Sequence, residues 1–500
     1  MRKEFYLAFV VALILNILFY FYWTPGLFSL ILLVPFFALG FRDILQKRHA
    51  IKANFPVFGH LRYILESIRP EINQYFIESN TDGKPFSREQ RSVVYQRAKK
   101  VLDTVPFGTQ HNVYSQGYEF VTHSMYPKHV EHKDLRTLVG SKLCKQPYSL
   151  SLLNISAMSF GSLSPNAILS LNGGAKDGHF AHNTGEGGIS PYHLEPTGDL
   201  IWQIGTGYFG CRTHEGQFDP ELFKKNANLP QVKMIEIKLS QGAKPGHGGI
   251  LSGKKVTQEI ADIRNVPLGK DVISPPAHTA FHDSKSMLDF ISQLRNLSNG
   301  KPIGIKLCLG HKHEFDDLVS VMVQENNYPD FIVVDGAEGG TGAAPLEFSN
   351  YMGMPGMDAL VIVVDALNKA GLKDQIKVIA TGKITTAFDI VKLLCLGADA
   401  TYAARSMLLA LGCIQALRCN NNTCPAGVAT QDPYLFEGLH VPTKRTRVKN
   451  FHQETLAAVA HVIGAMGIEH TSKLTRHHLH KRVEENKIKT FAELYPEVTR

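Results

Sequence analysis

Ile303–Val334, IGIKLCLGHKHEFDDLVSVMVQENNYPDFIVV, decides the fold. Ile303–Leu307 and Phe331–Val334 are short apolar runs rich in β-branched residues, which reads as two strands. Phe315–Gln324 lies between them with the apolar spacing of a helix. Strand, helix and strand so close together make a crossover unit with its strands parallel.

The same alternation runs in both directions. Upstream strands are expected at Leu152–Met158, Phe180–Asn183, Trp202–Ile204 and Ile235–Leu239, and downstream ones at Val378–Ala380 and Ala400–Ala403. Helices are expected at Pro165–Gly173, Lys255–Arg264, Ser284–Leu297, Met357–Ala370 and Thr386–Leu396. The fold class is therefore α/β, a closed (β/α)8 TIM barrel over residues 151–440. A long insert follows the fourth strand and carries GAKPGHGG and Ile273-Ser274-Pro275-Pro276; a long ordered loop in a barrel is usually functional.

The ends differ from this pattern. Phe5–Trp23 is apolar or aromatic except for Asn16, long enough to span a bilayer. Thr24-Pro25-Gly26 reads as a turn, and Leu27–Phe41 is a second apolar run broken by Pro35. Arg2 and Lys3 precede the pair and Arg42, Lys47 and Arg48 follow it. Residues 1–48 are thus expected to form a transmembrane hairpin in the cytoplasmic (inner) membrane, with the catalytic part in the cytoplasm. A signal peptide would have a shorter apolar stretch and a small-residue cleavage site. Residues 49–150 are polar and aromatic-dotted and are expected to be a helical or irregular linker, with a helix over Ser87–Leu102. Residues 441–500 are expected to be a helical extension, its amphipathic helix at His452–Met466. His477, His478 and His480 read as an exposed polar helix end, since no carboxylate or cysteine is arranged with them.

A net charge of +8 over 500 residues is modest, and no basic, aromatic-interleaved tract argues for nucleic acid. Seven scattered cysteines, an odd number, favour a reducing compartment. Three of them, Cys413, Cys419 and Cys424, stand as C-x5-C-x4-C before Pro425. That spacing is too wide for a zinc knuckle. It suits thiolates wrapped round an iron–sulfur core, and equally three reduced cysteines in a helix–loop. Cys308 and Cys395 lie in apolar runs and read as core, so three ligands without a fourth favour a 3Fe-4S cluster.

Phosphate in such barrels binds the loops after strands seven and eight. Gly382 and Lys383 follow strand seven; Ala403, Ala404 and Arg405 follow strand eight. Gly339, Gly340, Thr341 and Gly342 follow strand six, where small residues let a flat ring or a phosphate approach. Each alone is a tight turn; together they favour FMN. Lys306 could hold its ammonium near the flavin and stabilise the reduced anion. Lys238, Gln241 and Lys244 put two cations and an amide in one Gly-rich segment, suited to a dicarboxylate. Glu186, after strand two, could orient an imino or ammonium nitrogen, or cap a helix. Gly205–Gly210 matches G-x-G-x-x-G, but no apolar helix and no acidic residue complete a dinucleotide unit, so electrons are expected from another protein.

The order ISAMSFGSLSP, NTGEGG, KLSQGAKPG, ISPP, GGTGAAP and LGCIQALRCNNNTCPAGVATQ, spread over Ile155–Gln431, resembles the FMN-binding synthase domain of glutamate synthases. Each motif is short; six in sequence are specific. The resemblance implies FMN and a 3Fe-4S cluster held by Cys413, Cys419 and Cys424. It adds Ser159 to the cofactor-binding set and puts a lysine at Lys306. It assigns Lys238, Gln241 and Lys244 to the keto acid and Glu186 to the imine. The implied reaction reduces 2-iminoglutarate, from 2-oxoglutarate and ammonia, to L-glutamate with electrons from a donor protein. The chain departs from the family at His247, where glutamate is common, and at Ile189-Ser190, where acidic residues are usual. It opens Met1-Arg2-Lys3 with no cysteine nucleophile, so ammonia is expected from solution or a glutaminase partner. A membrane-associated flavin/Fe–S oxidoreductase acting on another amine or N-substituted amino acid, and a non-catalytic electron-relay or scaffold subunit, are the alternatives.

Overall fold

A computed structural model describes residues 1–101 and 103–496, in two compact units, Met1–Arg88 and Glu89–Arg500. In the first unit, the helix Arg2–Tyr22 and the stretch Thr24–Leu45, in which the 3-10 turn Thr24–Ser29 runs into the helix Leu30–Leu45, are each long and apolar enough to cross a membrane. They pack through aromatic edges: Phe5 and Phe9 both meet Phe37 and Phe41, at ring separations of 5.0–5.4 Å. Gly40 makes room for this, since a Cβ there would lie 2.2 Å from the Phe5 ring. The one polar residue within the first run is satisfied. Asn16 Nδ2 donates to Ala12 O at 2.9 Å, and Ser29 Oγ donates to Asn16 Oδ1 at 2.9 Å.

The second unit is built on a closed barrel of eight parallel strands. They are β1 (Leu153–Ile155), β2 (His182–Asn183), β3 (Leu200–Ile204), β4 (Val232–Lys238), β5 (Ile303–Cys308), β6 (Phe331–Asp335), β7 (Lys377–Thr381) and β8 (Ala400–Ala403). All eight lie where the alternating pattern predicts them. Side chains on a strand alternate between faces, so Met234, Phe331, Val333, Ile379, Ala400 and Tyr402 meet inside the barrel as a dry core. The hairpin Arg136–Val139/Tyr148–Ser151 adds Val139 and Leu150 to that core.

The expected helices form, Ser284–Leu297 with the expected bounds and the others with shifted ends, as at Pro165–Gly178 and Gly356–Lys369. Helix Ser87–Leu102 forms as Arg88–Lys99; Leu102 lies outside the described residues. The stretch before the barrel is not purely helical or irregular, because Glu119–Val121 and the hairpin are strands. The C-terminal reading is corrected in the same way. One helix, Val441–Ala465, carries Pro442 in its first turn and takes in a basic stretch at 444–449, where Arg445 grips Asp177 with two bonds of 2.6 Å. Beyond it, Leu479–Glu484 pairs with Glu119–Val121 and with Lys487–Thr490. The histidines are therefore not a helix end: His477 and His478 lie in a 3-10 turn, and His480 sits in a strand, stacked on Phe120 at 5.2 Å. Local sequence does not reveal this, because the pairing partner lies far away in the chain.

Candidate active site at the carboxyl end of the barrel

Strand alternation grades the barrel interior from apolar to charged. On β4, Met234 joins the dry core, Glu236 follows two residues on, and Lys238 reaches the mouth. Glu236 is fully buried and its Oε1 accepts from Asn183 Nδ2 at 3.1 Å and Gln203 Nε2 at 2.5 Å. Burial raises its pKa above the usual glutamate range, and Lys306 and the two amides only partly offset this. Lys306 stands in register with Lys238 across β4 and β5, and its ammonium is 3.6 Å from Asp335 on β6. A buried lysine thus has its anionic partner.

Over β1–β4 the loops assemble a compact ionic cluster. Glu186 lies 3.0 Å from Lys238 Nζ. Burial pushes the Glu186 carboxyl up, but Lys238, then Lys244 and Arg264, outweigh it and hold the group below the usual glutamate range. Lys244 is depressed to about 8, chiefly by burial and against the pull of Glu186; its Nζ donates to Ala343 O at 2.9 Å. Arg264 closes the cluster. Its Nη2 donates to Phe160 O at 2.9 Å, its guanidinium lies 5.2 Å from the Phe209 ring centre, and its buried Nε has no acceptor. Ser159, Ser162, Glu186, Arg264 and Ser274 line a small cleft here. Three cations on one carboxylate leave excess positive charge, which suits a second anion.

The insert is fastened over this cluster. Tyr208 Oη accepts the N–H groups of Thr279 and Ala280 at 3.1 and 3.0 Å and donates to His278 Nδ1 at 3.1 Å. His278 Nε2 donates to Lys238 O at 2.9 Å, since a carbonyl can only accept. Burial lowers His278 to about 4, so the ring is neutral and keeps this tautomer. Gly242 packs on Gly336, where a Cβ would lie 1.6 Å from the carbonyl oxygen, and its N–H donates to Asp335 at 3.1 Å. Gln241 is half-buried on the same loop, its carbonyl accepting Lys244 N–H at 3.3 Å. His247 bonds through Nδ1 to Gly248 O at 3.0 Å and meets the Phe348 ring at 5.4 Å.

Over β6–β8 the surface is made of backbone. Arg405 Nη2 donates to Glu338 O at 2.6 Å, and the Glu338 carboxylate accepts Gly356 N–H at 3.0 Å. Gly339 and Gly340 nestle against Asp335 and Arg405. A Cβ on Gly342 would meet nothing within 4 Å, and one on Gly382 only Glu338, at 3.8 Å. Thr341 bonds to Ala343 O at 3.2 Å, Lys383 is half-buried, Ala404 is half-buried, and Ala403 O accepts Ser156 N–H at 3.1 Å. Open space above glycines, flanked by Lys383 and Arg405 with Lys306 inside, fits a flat ring carrying a phosphate.

Cys413, Cys419 and Cys424 fall on one loop after the helix Arg405–Leu411, close enough that their charges interact. Gln415, Leu417 and Asn422 hold positive φ of 57°, 56° and 67° there, a dense run of strained non-glycine backbone. Gln415 N–H points at Cys413 Sγ at 3.4 Å. Lys255 lies against the loop, donating to Ala429 O at 2.8 Å and Ser162 O at 2.9 Å. Among the described residues no three His, Cys, Asp or Glu side chains converge on one metal-ion position. A multi-iron core binds each thiolate to a different iron, and three thiols on one loop are the donor type it would take. Cys308 and Cys395 are both buried.

The structure thus brings Glu186, Lys238 and Lys244 together and adds Arg264, Glu236, Asp335 and His278, which sequence reasoning missed. The strand period could have found Glu236, two residues before Lys238. Arg264 sits at the end of a helix in the insert, and nothing local marks it.

A family model described as a conserved region in glutamate synthase matches residues 109–469. The chain is 38% identical to the glutamate synthase large subunit-like protein YerD of Bacillus subtilis, over 91% of this chain and 94% of that one. It is 35% identical to the archaeal glutamate synthase [NADPH] of Methanocaldococcus jannaschii, over 71% of this chain and 66% of that one. With the glutamate synthase [NADPH] large chain of Bacillus subtilis the identity is 32%, over 64% of this chain and 21% of the relative.

Proposed function

Because the chain belongs to the glutamate synthase family, we propose that it reduces 2-iminoglutarate, formed from 2-oxoglutarate and ammonia, to L-glutamate with electrons from a separate donor protein. The observation that carries this reading is the cluster of Lys238, Lys244 and Arg264 around the single carboxylate of Glu186. FMN on the glycine loops would supply the hydride, and a 3Fe-4S cluster on Cys413, Cys419 and Cys424 the single-electron route to it. Lys383, Arg405 and the N–H groups near Gly382 would hold the phosphate, and Lys306 the anionic side of the ring.

The chain's own residues account for the rest. Lys244 and Arg264 pair with the carboxylates of the keto acid, and Gln241 adds an amide at the rim. Glu186 stays ionised in this field, so it accepts a hydrogen bond from the substrate nitrogen and orients it. The fastened insert restricts water, which strengthens each of these contacts. The two N-terminal apolar helices anchor the protein in the membrane, with the barrel on the cytoplasmic side.

The test is titration of the purified protein's flavin absorbance with 2-oxoglutarate, beside anaerobic reduction by candidate amino acids and amines. A response to 2-oxoglutarate and reduction by glutamate support the reading. No response to 2-oxoglutarate, with an amine perturbing the flavin, replaces it by amine oxidation, and His247 becomes the first residue to examine. Serine at Cys413, Cys419 or Cys424 should remove the Fe–S absorption and spin signal, whereas Cys395→Ser keeps both. Loss of the cluster in a folded Cys395→Ser protein would replace three ligands by four.

A further inference from the structure

The helix Gly59–Ile72 and the π turn Asn73–Ile77 that continues it carry an apolar face that their own unit leaves largely open, Phe58 alone meeting another ring, that of Phe36 at 6.3 Å. Phe58, Leu61, Ile64, Leu65 and Ile68 are 42–60% exposed, and Phe76 is 84% exposed. At 100° per residue Phe58, Leu61, Ile64, Leu65, Ile68 and Ile72 fall within an arc of about 120°. His60, Arg62, Tyr63, Glu66, Ser67, Arg69 and Glu71 occupy the rest, with Arg62 3.1 Å from Glu66. Single exposed apolar residues are ordinary; a continuous stripe along four turns is a contact surface.

What covers it follows from where the helix starts. Asp43, in the last turn of the second apolar helix, accepts Val57 N–H at 2.9 Å and faces His60 Nε2 at 2.9 Å. Arg2, at the start of the first apolar helix, donates through Nε to Ala53 O at 2.6 Å. The stripe therefore begins at the charged ends of both spans, the level at which a bilayer's headgroups would lie. Arg42 stands in the last turn of the second apolar helix, Lys47, Arg48 and Lys52 follow it closely along the chain, and Arg62 and Arg69 border the stripe, where long cationic side chains reach anionic headgroups.

We propose that Gly59–Ile72 lies in the plane of an anionic lipid surface, as an interfacial helix that continues the hairpin. The proposal rests on reading the two apolar helices as an anchor. It gives the segment a partner, lipid, and a depth of about 5–10 Å into the headgroup–acyl boundary.

Tryptophan quenching tests it in the full-length protein, reconstituted in phosphatidylcholine–phosphatidylglycerol vesicles. The chain has two tryptophans, of which Trp202 is fully buried, so a Trp23→Phe background is nearly clean. Into it go Leu65→Trp, Glu66→Trp and Leu13→Trp, one at a time. Leu65→Trp should be quenched several-fold more by lipids brominated near the headgroup than Glu66→Trp, which acrylamide should quench instead. Leu13→Trp should respond to deeply brominated lipid. If Leu13→Trp is deep but Leu65→Trp is open to acrylamide, the interfacial helix falls and the anchor stands. If Leu65→Trp is shielded from both quenchers, protein covers the stripe and the proposal also falls. If Leu13→Trp is itself in water, the anchor falls and takes the proposal with it.

Discussion

The two halves of the barrel mouth are built from different materials. Over β2–β4, side chains do the work: Glu186, Lys238, Lys244 and Arg264 interlock in a partly buried charge cluster. Over β6–β8, the chain withdraws side chains, and Gly342 and Gly382 face open space. Lys244 bridges the halves through Ala343 O. The first half is strongly coupled, so removing one group leaves its partners uncompensated. The second is loosely coupled, so a small addition changes what it admits without disturbing what holds it together.

The largest effect should come from the charged half. Glu186→Ala leaves three cations without their carboxylate and should lower stability by about 2–3 kcal/mol in urea unfolding. A loss under half a kcal/mol would mean that solvent already screens the cluster, and the contrast with the glycine half would vanish. Glu186→Gln keeps the shape and should mainly slow turnover.

Next, Lys244→Ala should weaken 2-oxoglutarate binding by about tenfold to a hundredfold, the equivalent of one charge-assisted bond of about 1.5–3 kcal/mol. The flavin should stay, because its proposed contacts lie on other loops. The same lysine sets a pH dependence. Burial lowers Lys244 from 10.5 to about 8, so its charge disfavours the folded state below that pH, and the penalty fades between 8 and 10.5. Anion binding has the opposite dependence: it needs the charged form and should fall as pH rises through about 8. Lys244→Ala should lose that step.

The smallest stability effect should come from Gly382→Ala. Its Cβ finds only Glu338, at 3.8 Å, so unfolding should move by no more than about 0.5 kcal/mol. Flavin content after purification should nevertheless drop. Unchanged flavin content would mean that the open space beside Gly382 is not where the cofactor lies, and the backbone-built half would need another purpose.

How much of this was legible in the sequence depends on the range of the forces involved. The barrel strands show because burial on both faces demands a run of apolar residues, and that demand is local. Lys238 and Lys244 show because a charged pair inside a Gly-rich segment is locally odd. Arg264 and His278 do not show, since an arginine at a helix end and a histidine after Pro275-Pro276 are ordinary until Phe160 O and Lys238 O are placed against them.

The sequence by itself determined the strand–helix alternation, the two apolar N-terminal runs and the cysteine loop, because hydrophobic period, length and residue spacing are properties of neighbours along the chain. Only the tertiary structure decided that Glu236 lies buried beneath Lys238, that Glu186 from the loop after β2 meets Lys238 at the end of β4 and Lys244 and Arg264 from the insert beyond it, and that His480 pairs into a sheet with Glu119–Val121. Those facts depend on which distant segments come together, and the free energy of a buried charge is set by the partners found there rather than by the residues beside it.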